Sequence, residues 1–178
     1  MKQIQSLVIA TGLLLCLAGC NQASVPSQPA ESFKLRGHSV KFSPPKDFTR
    51  KEPKTKGMIE ALLFENSKGK GHIGLTVIDG ATKEDKVSKE VLAPFVEPIY
   101  KRDGKLKVQK ELSMLGGTDN AYRVEFEYGD GATQNKGAQV FILNKGNLYS
   151  IVMTAPANEF SADLPFFDAI VDSFQIEK

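Results

Sequence analysis

The sequence predicts an α/β (α+β) three-layer sandwich, a central, largely antiparallel β-sheet flanked by helices. Three observations carry this. Runs of strand-forming residues come in pairs joined by short glycine-containing turns, the pattern of hairpins. Two segments, 87–99 and 160–174, repeat apolar residues at helical spacing. The last strand pair is apolar at consecutive positions, so it needs cover on both faces.

Phe33 and Leu35, then Val40 and Phe42, alternate with polar residues around Gly37, which predicts two short strands or one bent strand. Pro44-Pro45 stops them and opens a charged loop to Gly57. Met58 to Glu65 reads as a strand, Asn66 to Gly71 as its turn, and His72 to Ile78 as the returning strand. Thr82 and Asp85 have the spacing of a capping box. Val87, Val91, Phe95 and Ile99 then form one helical stripe. Pro94 and Pro98 interrupt it, predicting a kinked helix or two short ones.

A second hairpin is expected from Lys105 to Met114 and Tyr122 to Tyr128, around Gly116-Gly117-Thr118-Asp119. One register sets Val108 against Phe126 and Leu112 against Tyr122 on one face. It also sets Lys107 against Glu127 and Glu111 against Arg123 on the other. Gln139 to Asn144 and Leu148 to Thr154 form a third hairpin across Lys145-Gly146-Asn147. Here Val140 and Ile142 face one way, Phe141 and Leu143 the other, as interior strands do. The final helix carries Phe160, Leu164, Phe167, Val171 and Phe174, and Pro165 fits it only near the first turn.

The N-terminus has a different grammar. Lys2, the apolar run Leu7 to Leu17 and the small pair Ala18-Gly19 have the order of a secretory signal. The run is too short to span a bilayer, which takes about 20 residues. A cysteine directly after Leu17-Ala18-Gly19 resembles the bacterial lipobox. The resemblance implies a lipoprotein signal over 1–19, diacylglycerol on the Cys20 sulfur and, usually, an acylated amino group there. Two or more acyl chains hold a protein stably, each buried methylene adding about 0.8 kcal/mol. Asn21, in place of Asp, points to the outer membrane on its periplasmic face if the host is Gram-negative. Residues 20–31 then form the lipidated cysteine and a polar, proline-containing tether, and 32–178 a single domain.

The two cysteines are Cys16, which leaves with the signal, and Cys20, so an exported domain of about 145 residues must fold on its apolar core alone. The formal charge of +2 drops to +1 without Lys2. Near-neutrality offers no field for a polyanion, and nucleic acid is excluded as a partner on that ground.

With the elements placed, the domain resembles the PsbP/DcrB-like family. The matching stretches are Val40 to Phe48, Ala121 to Phe126, Gly146 to Pro156, and Ile170 to Phe174. The resemblance implies a sheet flanked by helices and, through its DcrB-like bacterial branch, a binding or assembly domain of the envelope with no catalytic residues to transfer. Many photosynthetic members carry Trp where Phe48 stands, and this chain has none.

Gly69-Lys70-Gly71-His72-Ile73-Gly74 matches the dinucleotide fingerprint, but that chemistry needs a helix after the glycines and a strand follows. His38 and His72 are the only histidines and stand near turns, so no metal site is expected. Glu125 and Glu127 share a strand face about 7 Å apart, within range of a glycosidase pair. Lys107 and Arg123 as neighbours make a solvated charge ladder the better reading. Lys46, Arg50, Lys51, Lys54 and Lys56 crowd one loop, with Lys51, Lys54 and Lys56 as candidate contacts to an anionic surface. The expected function is a non-enzymatic envelope protein, held to the membrane by lipid, with an envelope protein partner and no cofactor. The alternative is a carrier or sensor of a small apolar or lipid ligand.

Overall fold

The structure, a computed structural model, describes residues 28–51, 61–84, 86, 88–102, 107–114, 121–129 and 131–177, with the side chains of 96–102 and 107–114 outside the description. The elements run β1 (Glu31–Leu35), β2 (His38–Phe42), β3 (Phe48–Lys51), β4 (Ala61–Asn66), β5 (His72–Ile78), α1 (Lys89–Arg102), β6 (Lys107–Met114), β7 (Ala121–Tyr128), a 3-10 turn, β8 (Asn135–Asn144), β9 (Asn147–Pro156), α2 (Phe160–Ser173) and β10 (Gln175–Ile176). Seven strands pair antiparallel in the order β3-β4-β5-β9-β8-β7-β6, and β1-β2-β10 make a smaller sheet.

The pleat sorts the apolar residues into two cores. Ile73, Leu75 and Val77 of β5, Tyr149, Ile151 and Met153 of β9, and Val140 of β8 turn to one face. There they meet Val40 and Phe42 of the small sheet and Phe160, Phe167 and Ile170 of α2. On the other face Val124, Phe126, Phe141, Leu143 and Leu148 pack with Leu92 of α1. The central strands are therefore apolar on both sides because helices cover both sides, as the broken alternation of 139–154 requires.

The expected sandwich holds, with local corrections. Phe33–Phe42 is two strands, turning at Arg36 (φ 49°) and Gly37 (φ 82°). The charged loop before Gly57 begins as an edge strand, because Phe48 is buried against Phe166 and β3 pairs with β4 from Phe48↔Asn66 to Lys51↔Leu63. The β6–β7 register keeps Lys107↔Glu127 and Val108↔Phe126 but shifts twice along the pair. Ser113 therefore stands opposite Arg123 and Met114 opposite Tyr122, where Glu111 and Leu112 were expected. Bulges preserve the inside-outside pattern while moving the pairing by two residues, which a count along the sequence cannot detect. The turn at 116–119 and residues 58–60 lie outside the described residues.

Helix α1 starts later than Thr82-Asp85 suggests. Ser88 is its cap, its Oγ accepting the Val91 N–H at 3.2 Å, while Thr82 Oγ1 accepts the Glu84 N–H at 3.0 Å in a local turn. Among the described side chains of α1 the fully buried one is Leu92, beside the expected stripe, and one helix runs through both Pro94 and Pro98. In α2, Phe160 and Phe167 are buried as expected, with Ile170 in place of Val171. Phe174 ends the helix and stacks on Phe42 at 6.4 Å, after which β10, not foreseen, joins β2.

The register gives the large sheet two distinct ends. At one lie Gln28, whose N–H donates to the Pro44 carbonyl at 2.8 Å, the Pro44–Asp47 loop, the Asn66–Gly71 turn and the start of α2. At the other lie the Arg36–Gly37 turn, Asp79–Thr82 and Lys145–Gly146, joined by a Gly80 N–H to Asn147 Oδ1 bond of 3.0 Å. The near end is the one that holds Gln28, the far end the one that holds Gly37.

Candidate functional site

Two polar clusters stand out, one at each end. At the far end, Asp79 follows β5 and meets two side chains from the β1–β2 turn. Arg36 Nε donates to its Oδ2 at 3.1 Å, and His38 Nε2 lies 2.6 Å from its Oδ1. His38 Nδ1 is 3.1 Å from the Tyr149 hydroxyl of β9. With Nε2 donating to Asp79, Nδ1 accepts the phenol proton, so both ring nitrogens have a partner. The bond to His38, then that to Arg36, holds the Asp79 carboxyl below its ordinary pKa, while burial pushes the Tyr149 phenol up.

The order carboxylate–imidazole–hydroxyl is that of a catalytic triad, yet the hydroxyl belongs to Tyr149, which is 2% exposed. A nucleophile must reach substrate; this one is sealed in the core, packed edge-on against Phe174 at 6.1 Å. The cluster's work is to fasten the small sheet to the large one.

At the near end, α2 sets its first turn against the β4–β5 turn. Glu159 Oε2 accepts the Lys70 N–H at 2.8 Å, and Asp163 Oδ1 accepts Asn66 Nδ2 at 2.6 Å. Asp163 is 3% exposed, and its Oδ2 is buried without a hydrogen-bond partner among the described residues. Burial is the main cause that raises the Asp163 pKa, with the Asn66 bond opposing it. The carboxyl also presses on Gly71 so closely that a Cβ there would fall within it, while the more flexible end of Glu159 stands near Gly69. Gly71 thus admits the Asp163 side chain, a structural ground for that glycine in the turn. The turn joins two strands, as expected.

The sign of the Asp163 shift fixes a pH dependence. A carboxyl harder to ionise folded than unfolded costs nothing when protonated in both states. Its penalty grows as pH rises from the unfolded value near 3.8 to the raised folded value, and is constant above that. Asp163→Asn keeps an acceptor for Asn66 and carries no such penalty. The variant should therefore gain stability relative to wild type as pH is raised from 3.5 to 7, measured by urea unfolding at each pH. A gap that stays flat or narrows contradicts the buried, hard-to-ionise carboxyl.

Glu125 and Glu127 do share a face, but both are mostly buried and engaged. Arg123 Nη2 reaches Glu125 at 3.2 Å and Nη1 reaches Asp168 of α2 at 2.6 Å, with the guanidinium 5.5 Å from the Phe167 ring centroid. Glu127 pairs with Lys136 at 3.1 Å and accepts from Gln134 at 3.2 Å. The charge ladder thus includes Arg123 as expected and Lys136 besides, with both glutamates mostly buried, while the Lys107 side chain lies outside the described residues.

Of the basic candidates, Lys51 sits on β3 and lies 3.6 Å from Glu65, and Arg50 stands 5.8 Å from the Phe33 centroid. Lys54, Lys56 and Cys20 lie outside the described residues. The two histidines are at opposite ends of the sheet, His72 being exposed at the near end. Sequence reasoning missed Asp163, which takes the stripe position beside Leu164, and it missed the far-end cluster, whose bonded partners are 41 to 111 residues apart. The paired glycines of the 69–71 turn were the one signal for the first; the second left none.

No family model matches the sequence, and a comparison with curated proteins finds no match. The fold does have counterparts among solved structures. LpqN, involved in cell envelope biogenesis of Mycobacterium tuberculosis, is similar with a TM-score of 0.55 at 14% identity, covering 85% of this chain and 87% of that one. CyanoP, the cyanobacterial PsbP of Synechocystis sp. PCC 6803, is similar at 0.55 and 14%, covering 90% and 99%. The Ran-binding protein Mog1p of Saccharomyces cerevisiae reaches 0.58 at 12%, covering 84% and 96%. The shared property is a PsbP- and Mog1-like fold; three proteins with such different descriptions show that the fold alone selects no function.

Proposed function

We propose that this chain is a bacterial cell-envelope lipoprotein, anchored through Cys20, whose domain binds another envelope protein and performs no chemistry. The observation that carries the reading is Leu17-Ala18-Gly19-Cys20 behind a short apolar core, followed by a polar tether and one folded domain. The likeness of the fold to LpqN, a protein involved in cell envelope biogenesis, supports an envelope role. The non-enzymatic part is supported by the state of the polar groups: Glu125 and Glu127 are held in ion pairs and the Tyr149 hydroxyl is inside the core.

Cys20→Ala is the test. The variant should lose lipid, measured as an intact-mass difference, and move from the membrane fraction to the soluble fraction or remain unprocessed. Normal processing with full membrane retention would falsify the reading. Native mass spectrometry of the purified protein separates binding of a protein from carriage of an apolar ligand. A co-purifying small mass means the carrier; its absence, with a specific protein crosslinked in the membrane, means the binding domain.

A further inference from the structure

We infer that the near end of the domain is a lipid-facing surface, resting on the bilayer that holds Cys20 with Lys46, Lys68 and Lys70 toward the headgroups. This rests on the anchoring proposed above and adds an orientation to it. Gln28 is fixed to Pro44 by the 2.8 Å backbone bond, so only the eight residues from Asn21 to Gln28 separate the cysteine from a held point on the domain. Fully extended they reach at most about 26–29 Å. Strands β8 and β9 have ten residues each, so the two ends of the sheet are about 30 Å apart. For the far end to touch the same leaflet, those residues would have to run at their full reach along the whole domain, whereas the near end needs no such reach.

Exposed lysines add a second ground. Lys46, Lys68 and Lys70 stand there on two adjacent loops, which are tied by the Ser67 N–H to Asp47 carbonyl bond of 2.8 Å. Of the carboxylates at the same end, Glu31 is exposed, Asp47 lies 2.9 Å from Lys68, Glu65 lies 3.6 Å from Lys51, Glu159 accepts the Lys70 backbone N–H, and Asp163 is buried. Lysine ammonium groups are suited to the phosphates of anionic headgroups, each contributing about 1 kcal/mol close to the surface. Lys51 lies on β3, 3.6 Å from Glu65, and Lys54 and Lys56 lie outside the described residues.

The experiment uses the full-length lipidated protein in vesicles of phosphatidylcholine with 30 mol% phosphatidylglycerol and an acceptor dye on a headgroup. Ser161→Cys at the near end and Lys83→Cys at the far end each supply one free thiol for a donor dye. Energy transfer at position 161 should exceed that at 83 by at least two-fold. Combining K46Q, K68Q and K70Q with each label should bring the ratio toward one without releasing protein from the vesicles. Equal transfer at both labels, or more at 83, in vesicle-bound protein overturns the orientation and leaves the anchor standing. A ratio unmoved by the three substitutions overturns the role of the lysines. Protein that fails to sediment with vesicles removes the anchor, and the orientation with it.

Discussion

Gly71→Ala should destabilise the domain by about 3 kcal/mol, the upper part of the range for overpacking a tight interior. The new methyl group would overlap the Asp163 carboxylate, which has Asn66 on one side and the start of α2 behind it. For a chain of this size the loss corresponds to a melting temperature lower by about 6–12 °C. The informative form is a double-mutant cycle. Asp163→Ala removes the obstruction, so the pair G71A/D163A should be more stable than the sum of the single changes by about 1–3 kcal/mol. Additive effects would mean that α2 does not press on the turn as described.

Phe167→Ala should cost about 3–5 kcal/mol, since the ring is fully buried and its loss leaves a cavity between α2 and the sheet. Part of the loss is electrostatic. Arg123 lies over that ring while its Nε is buried without a hydrogen-bond partner among the described residues, and removing the ring takes away the group that offsets this. Phe167→Leu, which fills most of the space but offers no ring, should fall well between wild type and Ala. The chain has no tryptophan, so far-ultraviolet circular dichroism in urea is the readout. A Leu variant as unstable as Ala would assign the effect to the ring's charge distribution instead of to packing.

The fold was largely readable because its determinants are local. Gly146 between two ten-residue apolar strands marks a hairpin wherever it occurs, and the failure of alternation at Val140–Leu143 revealed cover on both faces. What escaped has long-range causes. The strand Phe48–Lys51 looks like a charged loop because three of its four residues are exposed; only Phe48, filling a gap beside Phe166, makes it part of the sheet. The shifted register of β6 follows from bulges, which leave no mark in composition. Leu92, not Val91, is buried because α1 meets the sheet through packing partners on β7, β8 and β9 that lie far away in the chain.

The candidate sites were less legible for the same reason. Arg36, His38, Asp79 and Tyr149 come from three strands' ends, and no spacing in the chain announces their meeting. Asp163 occupies a position that helical periodicity reserves for an apolar residue, and its neighbour Leu164 hid it from a reading of the stripe. Glu125 and Glu127 were visible as a pair, but the helix that supplies Asp168 to Arg123 beside them was not.

The smallest sheet has a mechanical consequence. A pull applied at Gln28 runs along β1, whose five residues pair lengthwise with β2 from Glu31↔Phe42 to Leu35↔His38. Ladder bonds lie across the strands, so the load is shared among them as shear and does not unzip them one by one. Beyond β2 the tension divides between β10 and the His38 clasp on Tyr149, which spreads a tug at one terminus into both sheets.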